Sequence, residues 1–309
     1  MKVEKRLNQG KLSNSGVMAL TMAVVLWGSA PVGIRAGLVG YAPIQLSLLR
    51  FAIASILLAV YVAFTGIRVP QRRDIPSLVL ASIMGITFYN TILNYGLTTV
   101  SAATASFMIA ATPIWTALLA MVLLGERLTL TGWSGVLLSF AGIGLIADQG
   151  GRGLHFSPGA LYILLGTFAY AGYQVLQKRL LARYNAIEFT CYSCWLGTLF
   201  MIPLGRGLVA ATHSAPIAAT LAVVYLGIFP AAIANVGWSY ALSFIPASRM
   251  SSFLYIMPVV TLAIGWLWLR EVPPVLSVVG GALALAGVSM VNLWGRATGV
   301  AELSPEMGD

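Results

Sequence analysis

Charged residues are scarce in this sequence. Asp, Glu, Lys and Arg make up 9% of its 309 residues, whereas 59% are hydrophobic, and the mean hydropathy is +0.87. In ordinary soluble domains roughly a quarter of the residues are charged. The shortage excludes such a domain and predicts a polytopic, all-α integral membrane protein.

Residues suited to catalysis and metal binding are equally few. The two histidines, His155 and His213, are isolated in predicted loops, and an enzyme needs a nucleophile, a base or a metal cluster. We therefore predict no enzyme, no catalytic residue, no metal and no cofactor. Cys191 and Cys194 form a CxxC inside an apolar segment. We interpret them as small packing residues, with a redox pair or half a metal site as the alternative.

Apolar runs near twenty residues long, separated by short polar connections, predict ten membrane spans. No soluble domain is inserted between them. The predicted spans are 16–35, 44–65, 75–97, 101–124, 130–148, 157–179, 188–206, 216–242, 247–269 and 274–294.

The distribution of positive charge predicts the orientation of these spans. The first apolar run lacks a signal-peptidase site, so we expect it to stay attached as the first span. Thirteen of the 18 Lys and Arg residues fall on the side of the amino terminus. This bias predicts cytoplasmic tails at 1–15 and 295–309. It also explains the net charge of +9 without a nucleic-acid partner.

The chain repeats itself with an offset of 145 residues. Residues 107–126 read FMIAATPIWTALLAMVLLGE and residues 252–271 read SFLYIMPVVTLAIGWLWLRE, each with a central proline and a closing glutamate. This predicts two repeats, 16–148 and 157–294. Each holds five helices, an odd number, so the second enters the membrane inverted and the two meet around a central cavity.

These features resemble the EamA-type branch of the drug/metabolite transporter superfamily. The resemblance rests on Trp27-Gly28-Ser29, the element from Pro43 to Arg50, the two proline-to-glutamate helices, and the spacing of Gly135 and Gly142 that recurs as Gly280 and Gly287. It implies a ten-helix carrier of the bacterial inner membrane, often an exporter of amino acids or related compounds. The sequence departs from exact repetition where Arg270-Glu271 replaces Gly125-Glu126.

Amide and aromatic side chains inside the spans are the candidate substrate-binding residues. Buried amides need partners in hydrocarbon, so their helix faces should point into the bundle or a wet cavity. Aromatic rings can stack on an apolar or cationic group. The alternative is interhelical hydrogen bonding with aromatic filler. The candidates are Trp27, Tyr89, Asn90, Asn94, Tyr170, Tyr173, Gln174, Asn235, Trp238 and Tyr255.

Five further residues each allow two interpretations. Pro113 and Pro258 should kink their helices, either as gating hinges or as static bends. Glu126 and Glu271 lie near opposite interfaces, where a structural role and proton binding are both open. Arg50 either snorkels to the headgroups or attracts an anionic substrate group.

The prediction is a secondary transporter that exports small metabolites by alternating access. The middle third of each predicted span lacks Asp, Glu, Lys and His, the groups that commonly form proton relays at that depth, so we expect facilitated transport. A lipid-linked head-group flippase is one alternative, although it needs a basic pocket and the sequence offers few buried cations. Export of nucleosides or cationic drugs is another. The expected partners are a small-molecule substrate and membrane lipids, with a monomer favoured and a homodimer open.

Overall fold

The regular elements that the structure describes are all helical. The computed structural model describes residues 14–110, 112–124, 129–147, 157–244, 250, 252–270 and 274–294. Glu126, Glu271, His155 and most of both tails lie outside these ranges. The helices are α1 Asn14–Gly37, α2 Pro43–Thr65, α3 Arg72–Gly96, α4 Ala102–Ile109, α5 Thr112–Leu124, α6 Leu130–Ala147, α7 Pro158–Leu180, α8 Ala186–Leu204, α9 Leu208–Ser214, α10 Ile217–Phe244, α11 Phe253–Leu269 and α12 Val275–Trp294.

Six of these helices, α1, α2, α3, α7, α8 and α10, are long and apolar enough to cross a membrane, by length and composition. Shorter apolar helices lie within α6, α11 and α12. The predicted span 101–124 is divided between α4 and α5, and α9 is a short helix that hydrophobicity did not predict. Large apolar side chains such as Phe64 and Leu130 are 87% exposed, as expected where lipid replaces water.

Local sequence signals set the helix starts. Ser157 caps α7 by accepting a hydrogen bond from the backbone of Ala160, and proline follows at the first helical position. α8 begins with a capping box in which Asn185 and Glu188 each accept from the other's backbone N–H. Gln45 occupies the matching third position of α2 and accepts from the backbone of Ala42.

Helix α1 lies at the centre of the bundle. It packs against α4, α10 and α11, while α3 packs against α7 and α8, and α2 packs against α8 and α10. The main buried cluster draws residues from these helices, among them Leu20, Leu93, Tyr170 and Leu226. A second region of close packing joins α6 to α12.

Small residues let α6 and α12 approach each other closely. A side chain added at Gly135 would overlap the carbonyl of Gly287, and one added at Gly142 would overlap the backbone of Gly280 and Ala284. Close backbone approach through glycine is a common way to pack membrane helices. The glycine faces that could have served a homodimer therefore pack against each other within one chain.

Two ion pairs join the α2–α3 connection to the α7–α8 region. Arg68 donates from Nε and Nη2 to the two carboxylate oxygens of Glu188, at 2.8 and 2.9 Å. Because of this hydrogen bonding, the pKa of the Arg68 guanidinium lies above its usual value. Arg183 pairs with Asp74, which also accepts from the hydroxyl of Tyr184 at 2.9 Å. The pairs connect segments far apart in the chain at one end of the bundle.

Replacement of Gly142 by valine should destabilise the protein, because the added side chain meets backbone atoms that cannot rotate away. We expect a loss of about 3 kcal/mol in the free energy of unfolding, measured on the purified protein in detergent. Leu137→Val is the matched control, since Leu137 lies on the same helix and is 69% exposed. Equal losses for the two variants would contradict the close packing of α6 against α12.

Candidate functional site

A cavity opens between α1, α2, α3, α4, α7, α10 and α11. Its empty volume is about 580 Å³ when the open space at its mouth is counted. Its lining is mixed, with aliphatic side chains such as Ile34 and Leu254, one cation, Arg50, and a set of aromatic and amide groups. Six of the ten candidate residues line it: Trp27, Tyr89, Asn90, Tyr170, Tyr173 and Asn235.

Four of these residues, Trp27, Tyr89, Tyr170 and Tyr173, form a continuous aromatic wall. The ring of Tyr170 is at the centre, 4.6 Å from the ring of Tyr89 and 5.5 Å from that of Tyr173, centroid to centroid. Trp27 meets Tyr170 edge-on at 6.2 Å, and its indole nitrogen donates to the carbonyl of Pro230 at 3.0 Å. Rings fixed in this way present a rigid apolar surface that also attracts cations.

A π-helical turn in α3 positions Asn90. Residues Ser82–Phe88 form the turn, and Asn90 follows just beyond it. Its side-chain nitrogen donates to the carbonyls of Gly85 and Ile86, at 2.9 and 3.1 Å. Since both amide hydrogens are directed at backbone carbonyls, the amide oxygen is directed towards Arg50. π-turns are rare and often mark functional sites.

A π-helical turn followed by an asparagine also occurs in α10. Gly227–Ile233 is π-helical and contains Pro230, which has no N–H to donate. Asn235 follows it and donates to the carbonyl of Ala231 at 2.7 Å. The two turns are 145 residues apart, as are the two asparagines. Both asparagines line the cavity.

Arg50 is the cation of this site. It is 5% exposed, and its Nη1 donates to Oδ1 of Asn90 at 3.3 Å. Snorkelling to the headgroups is therefore wrong for Arg50, because its side chain turns into the bundle. Arg50 is the one cation among the residues that line the cavity, which agrees with the expectation of few buried cations. An arginine inside an apolar run was the available signal, but its position near the start of α2 made an interfacial role look sufficient.

The other four candidates lie outside the cavity lining. Asn94 is fully buried and donates to Ser47 at 2.8 Å, so it joins α3 to α2. Gln174 and Trp238 are also fully buried, and the Trp238 ring lies behind Trp27 with 4.8 Å between centroids. Tyr255 packs against the cluster between α6 and α12.

Both candidate hinge prolines are buried and lie where one helical segment gives way to another. Pro113 is the second residue of α5, after α4 has ended at Ile109. Pro258 follows a 3₁₀ turn, Ser252–Ile256, near the start of the α-helical part of α11. Movement there stays a prediction.

The two cysteines pack into the bundle. Both thiols are free and buried in α8, where they belong to an apolar cluster with Phe51 and Met201. Within the described ranges no three His, Cys, Asp or Glu side chains gather as a metal site would require. Their position agrees with a packing role.

The sequence matches the EamA-like transporter family over residues 14–147 and 157–293. The chain belongs to this family. Membership makes it a multi-pass membrane transporter, and the resemblance drawn from its motifs is confirmed.

Similar proteins extend over most of this EamA-like chain. A "Probable terminal-alkyne amino-acid exporter" of Streptantibioticus cattleyicolor is 41% identical, covering 91% of this chain and 94% of its own. The "Uncharacterized transporter YdfC" of Bacillus subtilis is 38% identical over 88% of this chain and 89% of its own. One solved crystal structure superimposes with a TM-score of 0.63 over 90% of this chain and 96% of its own. At 21% identity that likeness shows the fold alone.

Substitution of Asn90 by alanine should destabilise the transporter more than the same change at Asn235. Asn90 donates to two carbonyls and accepts a hydrogen bond from the Arg50 guanidinium, whereas Asn235 donates to one carbonyl. Each buried donor or acceptor left without a partner costs about 1–3 kcal/mol of stability, and a buried charge costs more. Thermal unfolding in detergent measures both variants. Equal losses would show that Asn90 does not hold the guanidinium.

Proposed function

We propose that this EamA-family chain is a secondary carrier that exports amino acids or related compounds across the bacterial inner membrane. The observation that carries the proposal is the cavity, in which one cation faces a wall of four aromatic rings. Such a lining is amphipathic and fits a small molecule with both a polar head and an apolar body. The name of the relative from S. cattleyicolor, an amino-acid exporter, supports this substrate class.

The proposed architecture is ten membrane helices in two inverted five-helix repeats, with both termini cytoplasmic. The recurrence of a π-turn and an asparagine after 145 residues supports it. So does the packing of α6 against α12 through Gly135 and Gly287, since helices at equivalent places in two repeats meet at a pseudo-two-fold axis. In such carriers the two halves rock around a shared site.

Transport is facilitative in this proposal, with the direction set by the substrate gradient. The residues that line the cavity include no Asp, Glu, Lys or His in the part of the chain described. The acidic residues within that part, Asp74 and Glu188, are engaged in ion pairs at one end of the bundle. A proton relay needs an ionisable group that faces the substrate. Glu126 and Glu271 lie outside the described ranges and remain the candidates for coupling.

Alternating access requires the cavity to open on one side at a time. The breaks at Pro113 and Pro258 are suited to swing α5 and the α-helical part of α11, because each proline lies at the start of an α-helical segment, where the first N–H groups have no acceptor within that segment. The ion pairs of Arg68 with Glu188 and of Arg183 with Asp74 are suited to hold one end closed.

A flippase for lipid-linked head groups is the second candidate function. The buried guanidinium of Arg50 favours it, because a phosphate head group needs a basic pocket. Nucleosides and cationic drugs are further candidate cargoes, and the aromatic wall would stack on either. A cation in the same cavity as Arg50 would meet like-charge repulsion, which makes a cationic drug the poorer fit.

The test is counterflow in proteoliposomes that contain the purified protein and a panel of labelled amino acids, nucleosides and quaternary amines. We expect an amino acid to exchange at the same rate with and without a pH gradient. Trp27→Ala should reduce the rate at least tenfold, because it removes the edge of the aromatic wall. Trp133→Ala, at an exposed position on α6, is the matched control.

Strict dependence on the pH gradient would contradict the facilitative mechanism and direct attention to Glu126 and Glu271. Exchange of a lipid-linked sugar or phosphate, with no movement of amino acids, would replace the carrier proposal by the flippase.

A further inference from the structure

We infer that Arg50 is the anchor for a carboxylate group of the substrate, so that the carrier selects carboxylates and zwitterions over amines and neutral compounds. The inference rests on the proposed carrier function and deepens it, because it assigns one chemical group of the substrate to one side chain of the cavity.

The first support is burial without full pairing. The guanidinium contacts a neutral amide oxygen, Oδ1 of Asn90, through Nη1 at 3.3 Å. Its Nε is buried and has no hydrogen-bond partner. The ring of Phe51 lies 5.2 Å from the guanidinium carbon. A buried charge held by neutral groups alone is costly, and arginine carries five donors to satisfy.

The second support is the absence of a counter-ion among the residues the structure describes. Asp74 and Glu188 are the acidic residues in those ranges, and they pair with Arg183 and Arg68. Arg50 thus faces the cavity as a cation whose charge is left for an occupant to balance. A carboxylate is the natural occupant, since its two oxygens match the planar fork of a guanidinium.

The third support is preorganisation. Asn90 cannot rotate freely, because its amide nitrogen is tied to the carbonyls of Gly85 and Ile86 in the π-turn. Its oxygen therefore fixes Nη1 of Arg50, and Phe51 lies against the guanidinium. A side chain ordered before binding loses less entropy when the ligand arrives. The guanidinium of Arg50 is thus already ordered for binding an anion.

The two halves of the chain differ at this position, which gives the substrate a direction. Gln45 in α2 and Glu188 in α8 occupy the same third position of their helices. Five residues further on, α2 has Arg50 and α8 has Ser193, whereas the 145-residue offset of the repeat matches Arg50 with Trp195. By either alignment one half offers a cation where the other offers an uncharged side chain. The carboxylate binds on the side of α2 and α3, and the aromatic wall receives the rest of the molecule.

The experiment compares matched ligands on the wild-type protein. L-Phenylalanine, L-leucine and L-threonine are each paired with their carboxamides, which keep the side chain and the ammonium group but lose the negative charge. Competition against counterflow in proteoliposomes gives the apparent affinity of each compound. We expect each transported amino acid to compete about tenfold or more better than its amide. N-Acetylphenylalanine, which keeps the carboxylate and loses the ammonium, should compete more strongly than phenylalaninamide.

Variants at Arg50 then assign the preference to this side chain. Arg50→Gln should bring acid and amide to equal affinity, and Arg50→Lys should keep the direction of the preference at reduced size, because it keeps the charge and loses the fork. Arg72→Gln, at an exposed position outside the cavity, should leave the preference unchanged. The ligand comparison needs only the wild-type protein, so it decides the matter even where Arg50→Gln fails to fold.

Equal competition by acids and amides on the wild-type protein would overturn the inference while leaving the carrier function in place. So would exchange of amines or nucleosides without exchange of any carboxylate. If no compound of the panel exchanges, the carrier proposal falls and this inference falls with it.

Discussion

A guanidinium buried among helices needs hydrogen-bond acceptors, and at Arg50 the bundle supplies the amide oxygen of Asn90. Arg50 donates a hydrogen bond to this oxygen. The amide nitrogen of Asn90 in turn donates to the carbonyls of Gly85 and Ile86. The π-turn of α3 brings those carbonyls within reach of the asparagine. The π-turn therefore orients the amide of Asn90, and this amide positions the charge of Arg50 in the cavity.

The same local structure appears in α10 without the charge. The side-chain nitrogen of Asn235 donates to a carbonyl of its own π-turn, and the indole nitrogen of Trp27 donates to the carbonyl of Pro230. The same backbone arrangement thus occurs twice, 145 residues apart, with a cation beside only the first. In the proposed carrier this asymmetry holds a substrate in one orientation, with its polar head near α2 and α3 and its apolar body against the aromatic wall.

Sequence reasoning reached the helical membrane fold because apolar length is a direct consequence of membrane thickness. It also predicted that Trp27, Asn90 and Tyr170 line a cavity, since polar groups inside membrane spans point into the bundle or a cavity rather than into lipid. It could not separate Asn90 from Asn94, which share a helix face, because they differ only in depth along α3: Asn90 lies at the cavity, and Asn94, one turn further on, pairs with Ser47. Arg50 needed the structure as well, since its distance from the helix start allowed both snorkelling and burial.

The central claim is that the charge of Arg50 is balanced by the substrate. The most direct measurement is a solid-state NMR distance between the guanidinium nitrogens of Arg50 and the carboxylate carbon of a ¹³C-labelled, transported amino acid bound to ¹⁵N-arginine-labelled protein. A bidentate pair with N–O contacts of about 2.8 Å brings the carboxylate carbon close enough to the guanidinium nitrogens for a measurable ¹³C–¹⁵N dipolar coupling, and this coupling should disappear in Arg50→Lys. Bound substrate without coupling to any arginine would contradict the account.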